Sequence, residues 1–236
     1  MARVIAVFAH PDDETFICGG SLATLTAQGE HVTLICATKG EMGRRVGVPP
    51  VATRETLPQL REDELRNACK ALRISDLRFL GYRDKSLEIQ PIEQLIGILE
   101  KTFREEQPQA VITFHERLGG HPDHRTIGLA ATSAFERYRT SGGANHRGLD
   151  GDKDASLLFV AWPGMAANPK QYGLTSNDFL EVDVRDELPA KLQAFRAHKT
   201  QSDLNNWLWQ SDEKAMARLS QREYFIKAYG LGAPLR

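Results

Sequence analysis

Two short clusters in this 236-residue chain carry side chains able to hold a metal ion or move a proton. The first, His10-Pro11-Asp12-Asp13-Glu14, stands directly behind the apolar run Val4 to Ala9. The second leads from Phe114-His115-Glu116 through Leu118-Gly119-Gly120 into His121-Pro122-Asp123-His124. A catalytic Zn2+ centre takes three protein ligands from His and carboxylate and keeps a fourth position for water. A His and an Asp from the first cluster and a His from the second supply that set. One carboxylate is then left beside the ion as a base toward a water whose pKa the ion lowers to about 7. Fe(II), Co(II) and Mn(II) accept the same donors, so the pattern points to one divalent ion per chain, zinc first. Pro11 and Pro122 stiffen the two turns without spending a backbone donor. A plainer use exists for the same residues: Asp12 or Asp13 could cap one helix and Asp123 another. Two such clusters at two strand ends favour the chemical reading.

The elements that must position these clusters read as an alternation of strands and helices. Val4 to Ala9, His31 to Thr38, Leu77 to Leu80 and Ala110 to Phe114 are β-rich apolar runs. Between them Glu14 to Gln28, Leu57 to Leu72 and Ile92 to Glu105 have helical spacing, and a helix from about Asp123 to Tyr138 follows. Strands alternating with helices predict a mostly parallel sheet with helices on both faces. Such a sheet places ligands at the carboxyl ends of its strands, where both clusters lie. Ser141 to Ala155 reads as an exposed loop, Leu157 to Trp162 and Phe179 to Val184 as strands, and Glu187 to Ala197 and Glu213 to Ala228 as closing helices. With no repeat or low-complexity linker, residues 1–236 are expected to form one domain.

Composition narrows the function classes. Thirty Lys and Arg against 31 Asp and Glu leave a net charge of -1, which disfavours bulk binding to nucleic acid or an anionic membrane. Three widely spaced cysteines, Cys18, Cys36 and Cys69, suggest free thiols in a reducing cytoplasm rather than a disulfide framework. The first apolar run is too short for a secretory signal, and no run approaches the length of a membrane span. After Ala9 there is no G-x-G-x-x-G, and the turn carries three carboxylates that would repel a pyrophosphate. That argues against the alternative of a non-catalytic sugar- or nucleotide-binding module.

His10-Pro11-Asp12-Asp13-Glu14 after a first strand, with His121-Pro122-Asp123-His124 near mid-chain, resembles the LmbE/PIG-L family of zinc-dependent N-deacetylases. The stretches Gly40 to Arg44, Arg54 to Pro58 with Arg61, and Gly81 to Lys85 look most like its bacillithiol-biosynthesis branch. The resemblance covers most of the chain. It implies a Rossmann-like three-layer α/β fold and hydrolysis of the acetamide of an N-acetylglucosaminyl conjugate, N-acetylglucosaminyl-malate first. A bacillithiol S-conjugate or an N-acetylated chitooligosaccharide is the alternative substrate.

Site roles follow from the same resemblance. His10, Asp13 and His124 match the metal ligands, and Asp12 matches the general base. His121 matches the residue that stabilises the oxyanion and protonates the leaving amine, with Asp123 as its charge partner raising the imidazole pKa. Arg61 and Asp84 match substrate contacts, an acetyl or acid end and a sugar hydroxyl. Some members carry a tyrosine shortly before the second motif, where this chain has Leu118, Gly119 and Gly120; Tyr82 is the nearest substitute.

Other polar residues are assigned from their positions. Glu41 follows the second strand and stands at the rim of the expected site. His198, in a stretch resembling a recurrent C-terminal one of the family, either supports helix packing or touches the site. His115, His31 and His146 read as structural, and Trp162, Trp207 and Trp209 as core or interface; a contact supplied by the Trp-rich C-terminal part would suit a homo-oligomer. The expected partner is a small amino-sugar substrate.

Overall fold

In the computed structural model, which describes residues 3–45, 49–140 and 155–229, the first apolar run becomes β1 (Arg3–Phe8), buried from Val4 onward. It pairs in parallel with β2 (His31–Thr38) on one side and with β4 (Ala110–Thr113) on the other. Strand β3 (Asp76–Tyr82) extends the β2 edge, and β5 (Ser156–Ala161) extends the β4 edge, both in parallel. The full order is β3-β2-β1-β4-β5-β7-β6, where β6 is Phe179–Asp183 and β7 is Arg222–Tyr229. The chain therefore leaves β1 toward one edge of the sheet and returns to its other side as β4. That reversal opens a crevice at the carboxyl ends of β1 and β4.

Right-handed crossovers fix which helices cover which face. Helix α1 (Asp13–Ala27) connects β1 to β2 and α2 (Leu57–Ala71) connects β2 to β3. With α5 (Pro163–Ala167) intervening on the way to β6, α6 (Leu188–Ala197) then packs against both α1 and α2. On the other face α3 (Ile92–Glu106) packs against α4 (Pro122–Thr140). The expected α/β sheet with helices on both faces is what forms. The core fills between these layers, with Phe8, Phe114, Phe103 and Phe135 among its largest fully buried side chains.

The end of the chain departs from the sequence reading. A helix over Glu213 to Ala228 was the expectation; instead α7 (Lys199–Ser202) and α8 (Asp212–Met216) are short, and β7 inserts antiparallel between β5 and β6. The decisive residue is Glu223, which a helix reading would leave on a solvated face. It is 3% exposed, accepts Gly20 N–H at 2.9 Å and Ser21 N–H at 2.6 Å, and pairs with Lys191 Nζ at 2.5 Å. Tertiary pairing of Tyr224, Phe225 and Ile226 with their neighbours outweighs helical propensity here. Trp162 and Trp209 are exposed rather than in the core. All three cysteines are free and buried. His146 and the loop expected at Ser141 to Ala155 lie outside the described residues except for Ala155, which is buried.

Candidate active site

Both clusters meet in the crevice beside β1. His10 leaves the end of β1, Asp13 opens α1, and His124 stands in the first turn of α4. His10 Nδ1 lies 3.2 Å from His124 Nε2 and 3.6 Å from Asp13 Oδ2, while Asp13 Oδ1 lies 3.2 Å from His124 Nε2. Ligands about 2.0–2.1 Å from a tetrahedral ion stand about 3.4 Å from one another, so these three donors have the spacing of one metal-binding face.

The rest of each ring is already committed. His124 Nδ1 donates to Gly119 O at 3.1 Å, which leaves Nε2 as a bare lone pair. Gly119 can offer that carbonyl because a Cβ there would stand 3.1 Å from His115 O and 3.2 Å from His124 Cβ. Gly120, at φ +77°, completes the turn. His10 Nε2 lies 3.1 Å from both Asp84 Oδ1 and Asp123 Oδ2, so its proton belongs there and Nδ1 faces the other two donors. These carboxylates hold the His10 ring from behind, as the partners of metal-bound histidines do. Two further groups have donor atoms within 4.8 Å of one another, His10 with His121 and His124, and His10 with Asp84 and Asp123. The second shares the His10 nitrogen that carries the proton, so it supports the ring rather than forming a separate centre.

Asp12 occupies the N-cap position of α1 but makes no side-chain capping bond, and its backbone sits at φ +110°. Strain of that kind in a non-glycine residue collects at functional sites. The carboxylate faces an open cleft of about 240 Å³ that His10, Asp13, His121 and His124 also line. Burial, with the charges of Asp13 and Glu14, raises its pKa to about 6 against the pull of Arg61 and His198. Asp13 goes the other way: burial pushes it upward, but His124 and His10 hold it near 2.

Several expected roles change on this geometry. The Asp123 carboxylate does not face His121. It accepts Lys85 N–H at 2.7 Å and Leu87 N–H at 3.2 Å and contacts His10, and only its backbone N–H reaches His121, at Nδ1. His121 therefore carries its proton on Nε2, and burial with the nearby His10 and His124 lowers its pKa instead of raising it. Arg61 is 3% exposed and donates to Gly40 O, Pro11 O and Asp12 Oδ2. It holds the Pro11–Asp12 turn with the guanidinium committed to these acceptors, at the wall of the cleft. Asp84 spends its oxygens on Met42 N–H and His10, and Glu41 accepts Asp84 N–H without lining the cleft.

Among the described residues, His31, His115, His198 and Tyr82 stay outside the cleft. His115 Nδ1 accepts Arg117 N–H, and His198 is fully buried against Glu14. The sequence reading missed Gln201, Met42 and Lys85 as cleft residues. Gln201 comes from α7, far along the chain, and grips the backbone of Arg44 through both Arg44 N–H and Arg44 O. No local pattern announces such a contact.

A family model described as GlcNAc-PI de-N-acetylase, PIG-L, matches residues 5–135. The chain belongs to the PIG-L family. Among its PIG-L relatives, the probable N-acetyl-alpha-D-glucosaminyl L-malate deacetylase 2 of Bacillus subtilis (strain 168) is 36% identical over 201 residues, covering 85% of this chain and 84% of that protein. The 1D-myo-inositol 2-acetamido-2-deoxy-alpha-D-glucopyranoside deacetylase of Thermobispora bispora is 34% identical, covering 84% and 79%. The N,N'-diacetylchitobiose deacetylase of Pyrococcus horikoshii has a similar fold, with a TM-score of 0.68 at 22% identity over 95% of this chain and 83% of that one. Among the described residues no helix is long and apolar enough to cross a membrane.

Proposed function

We propose that this PIG-L chain hydrolyses the acetamide of an N-acetylglucosaminyl conjugate, releasing acetate and a free amine, with one Zn2+ held by His10 Nδ1, Asp13 and His124 Nε2. The observation that carries the reading is the convergence of those three donors from two distant turns, with Asp12 beside them and uncommitted to capping. A bound divalent ion supplies a polarised carbonyl and a water acidic enough to attack near neutral pH.

The chain's own groups do the rest. Asp12 takes the proton of the attacking water as the oxygen–carbon bond forms, and Arg61 and the Glu14 turn hold it in place. His121 presents Nε2–H to the developing oxyanion as a neutral donor. When the carbon–nitrogen bond breaks, the proton held on Asp12 passes to the departing nitrogen. Asp84 and Asp123 keep His10 in the tautomer that points Nδ1 at the ion.

The name of the Bacillus subtilis relative supports N-acetylglucosaminyl-malate as the substrate, and with it a role in bacillithiol biosynthesis; the inositol conjugate named for the Thermobispora relative is the second reading. Acetate release from both conjugates and from N,N'-diacetylchitobiose, measured side by side on zinc-loaded protein, separates them. Faster turnover of the malate conjugate supports the first reading. Turnover of none of the three by protein carrying one zinc per chain contradicts the deacetylase reading.

A further inference from the structure

His198 and Glu14 form a fully buried pair that the proposed reaction does not use. His198 Nε2 stands 2.7 Å from Glu14 Oε1, and His198 is 0% exposed. The other Glu14 oxygen, Oε2, accepts Asp12 N–H at 3.1 Å, and Thr15 Oγ1–H donates to Oε1 at 2.5 Å. In an ordinary helix start, the N-cap aspartate turns its side chain back to cap the first-turn amides, while a glutamate in the first turn bonds the N-cap N–H. Here only the second half of that exchange exists: Glu14 bonds Asp12 N–H, and the Asp12 carboxylate makes no capping bond. The carboxylate is thereby released toward the cleft, at the cost of a backbone at φ +110° and ψ -26°.

That conformation depends on Glu14 staying where it is. One of its oxygens faces Asp12 N–H; the other is held by His198 and Thr15. His198 Nδ1 is buried and has no partner among the described residues. The side-chain hydrogen bond that His198 makes is the one through Nε2 to Glu14. Its segment reaches this point from the far end of the chain, with Thr200 anchored on Glu64 and Gln201 on Arg44.

We propose that His198 is a positioning residue that fixes the strained Asp12 turn through Glu14. The inference rests on Asp12 being the base. Two substitutions separate this role from general packing. In His198→Gln the side-chain amide N–H takes the place of Nε2–H, whereas in His198→Asn it falls short of Glu14. On zinc-loaded full chain, H198N is expected to lose about 10- to 100-fold in kcat, the scale of a small misplacement of a reacting group. KM and zinc per chain should stay unchanged, and H198Q should recover most of the loss.

A readout that needs no substrate is hydrogen exchange at the Asp12 amide, followed by NMR. Protection should fall in H198N and return in H198Q. If H198N does not fold, His198→Leu is read in the same way. Unchanged Asp12 protection in a folded H198N or H198L overturns the proposal, as does failure of both to fold, since His198 would then serve only stability. Failure of the deacetylase reading is distinguishable: wild type would release no acetate while the amide result still stood.

Discussion

His10 Nδ1 and His124 Nε2 face each other at 3.2 Å although their residues are 114 positions apart. Both rings have their other nitrogen occupied by an acceptor, His10 by Asp84 and Asp123 and His124 by Gly119 O. Two lone pairs so placed repel unless a cation or a shared proton lies between them. The fold holds the two rings in this arrangement by committing their far sides, and the charge that the arrangement calls for is positive.

The supporting carboxylates should therefore matter to metal affinity without being ligands. Asp84→Asn and Asp123→Asn are each expected to weaken zinc binding by about 10- to 100-fold. Competition titration against a chromogenic chelator checks this. Affinity equal to wild type in both would show that the His10 tautomer is set some other way.

Protons compete for the same place. Against the effect of burial, Asp123, Asp84 and Asp13 raise the His10 pKa to about 10, so near neutral pH the metal-free ring is protonated. Zinc must displace that proton, and affinity should rise by about tenfold per pH unit between about pH 6 and 8. Titration calorimetry in buffers of different ionisation enthalpy should register about one proton released from His10 per ion bound.

Asp12→Asn should keep the ion and lose about 10²- to 10⁴-fold in acetate release. The wild-type acid limb should lie at or below about pH 6, because a bound dication lowers the Asp12 pKa from the value of about 6 that burial and the surrounding charges give it. Arg61→Met removes a charge that favours the carboxylate, so the limb should move to higher pH. A pH–rate profile of kcat/KM for both proteins decides it; an unmoved limb in R61M would separate Arg61 from the base.

Away from the cleft, Lys191 and Glu223 form a buried ion pair with side chains 4% and 2% exposed. Lys191→Met leaves a buried carboxylate with only the Gly20 and Ser21 amides and should cost about 3–5 kcal/mol in urea unfolding. A loss under about 1 kcal/mol, typical of an exposed pair, would mean that water reaches Glu223.

The parts of this protein that were legible in its sequence are those carried by local pattern. Apolar runs such as Val4 to Ala9 and His31 to Thr38 announced buried parallel strands, and the two His/Asp turns behind β1 and β4 announced chemistry at the sheet reversal. What failed depends on partners distant in sequence. Glu223 is strand because Gly20, Ser21 and Lys191 receive it, and Arg61 is a clamp because Gly40 leaves room: a Cβ there would stand 1.9 Å from Arg61 Nη1. Asp123 looked like a partner for its neighbour His121 until the Lys85 and Leu87 amides turned its carboxylate toward His10.

Adjacent aspartates with opposite assignments give the most direct test of the account. Zinc bound per chain is measured by elemental analysis after equilibrium dialysis of Asp12→Asn and Asp13→Ala. The assignment of Asp13 as ligand and Asp12 as base predicts about one ion in the first and almost none in the second. A full complement of zinc in D13A, or its loss from a folded D12N, would contradict it.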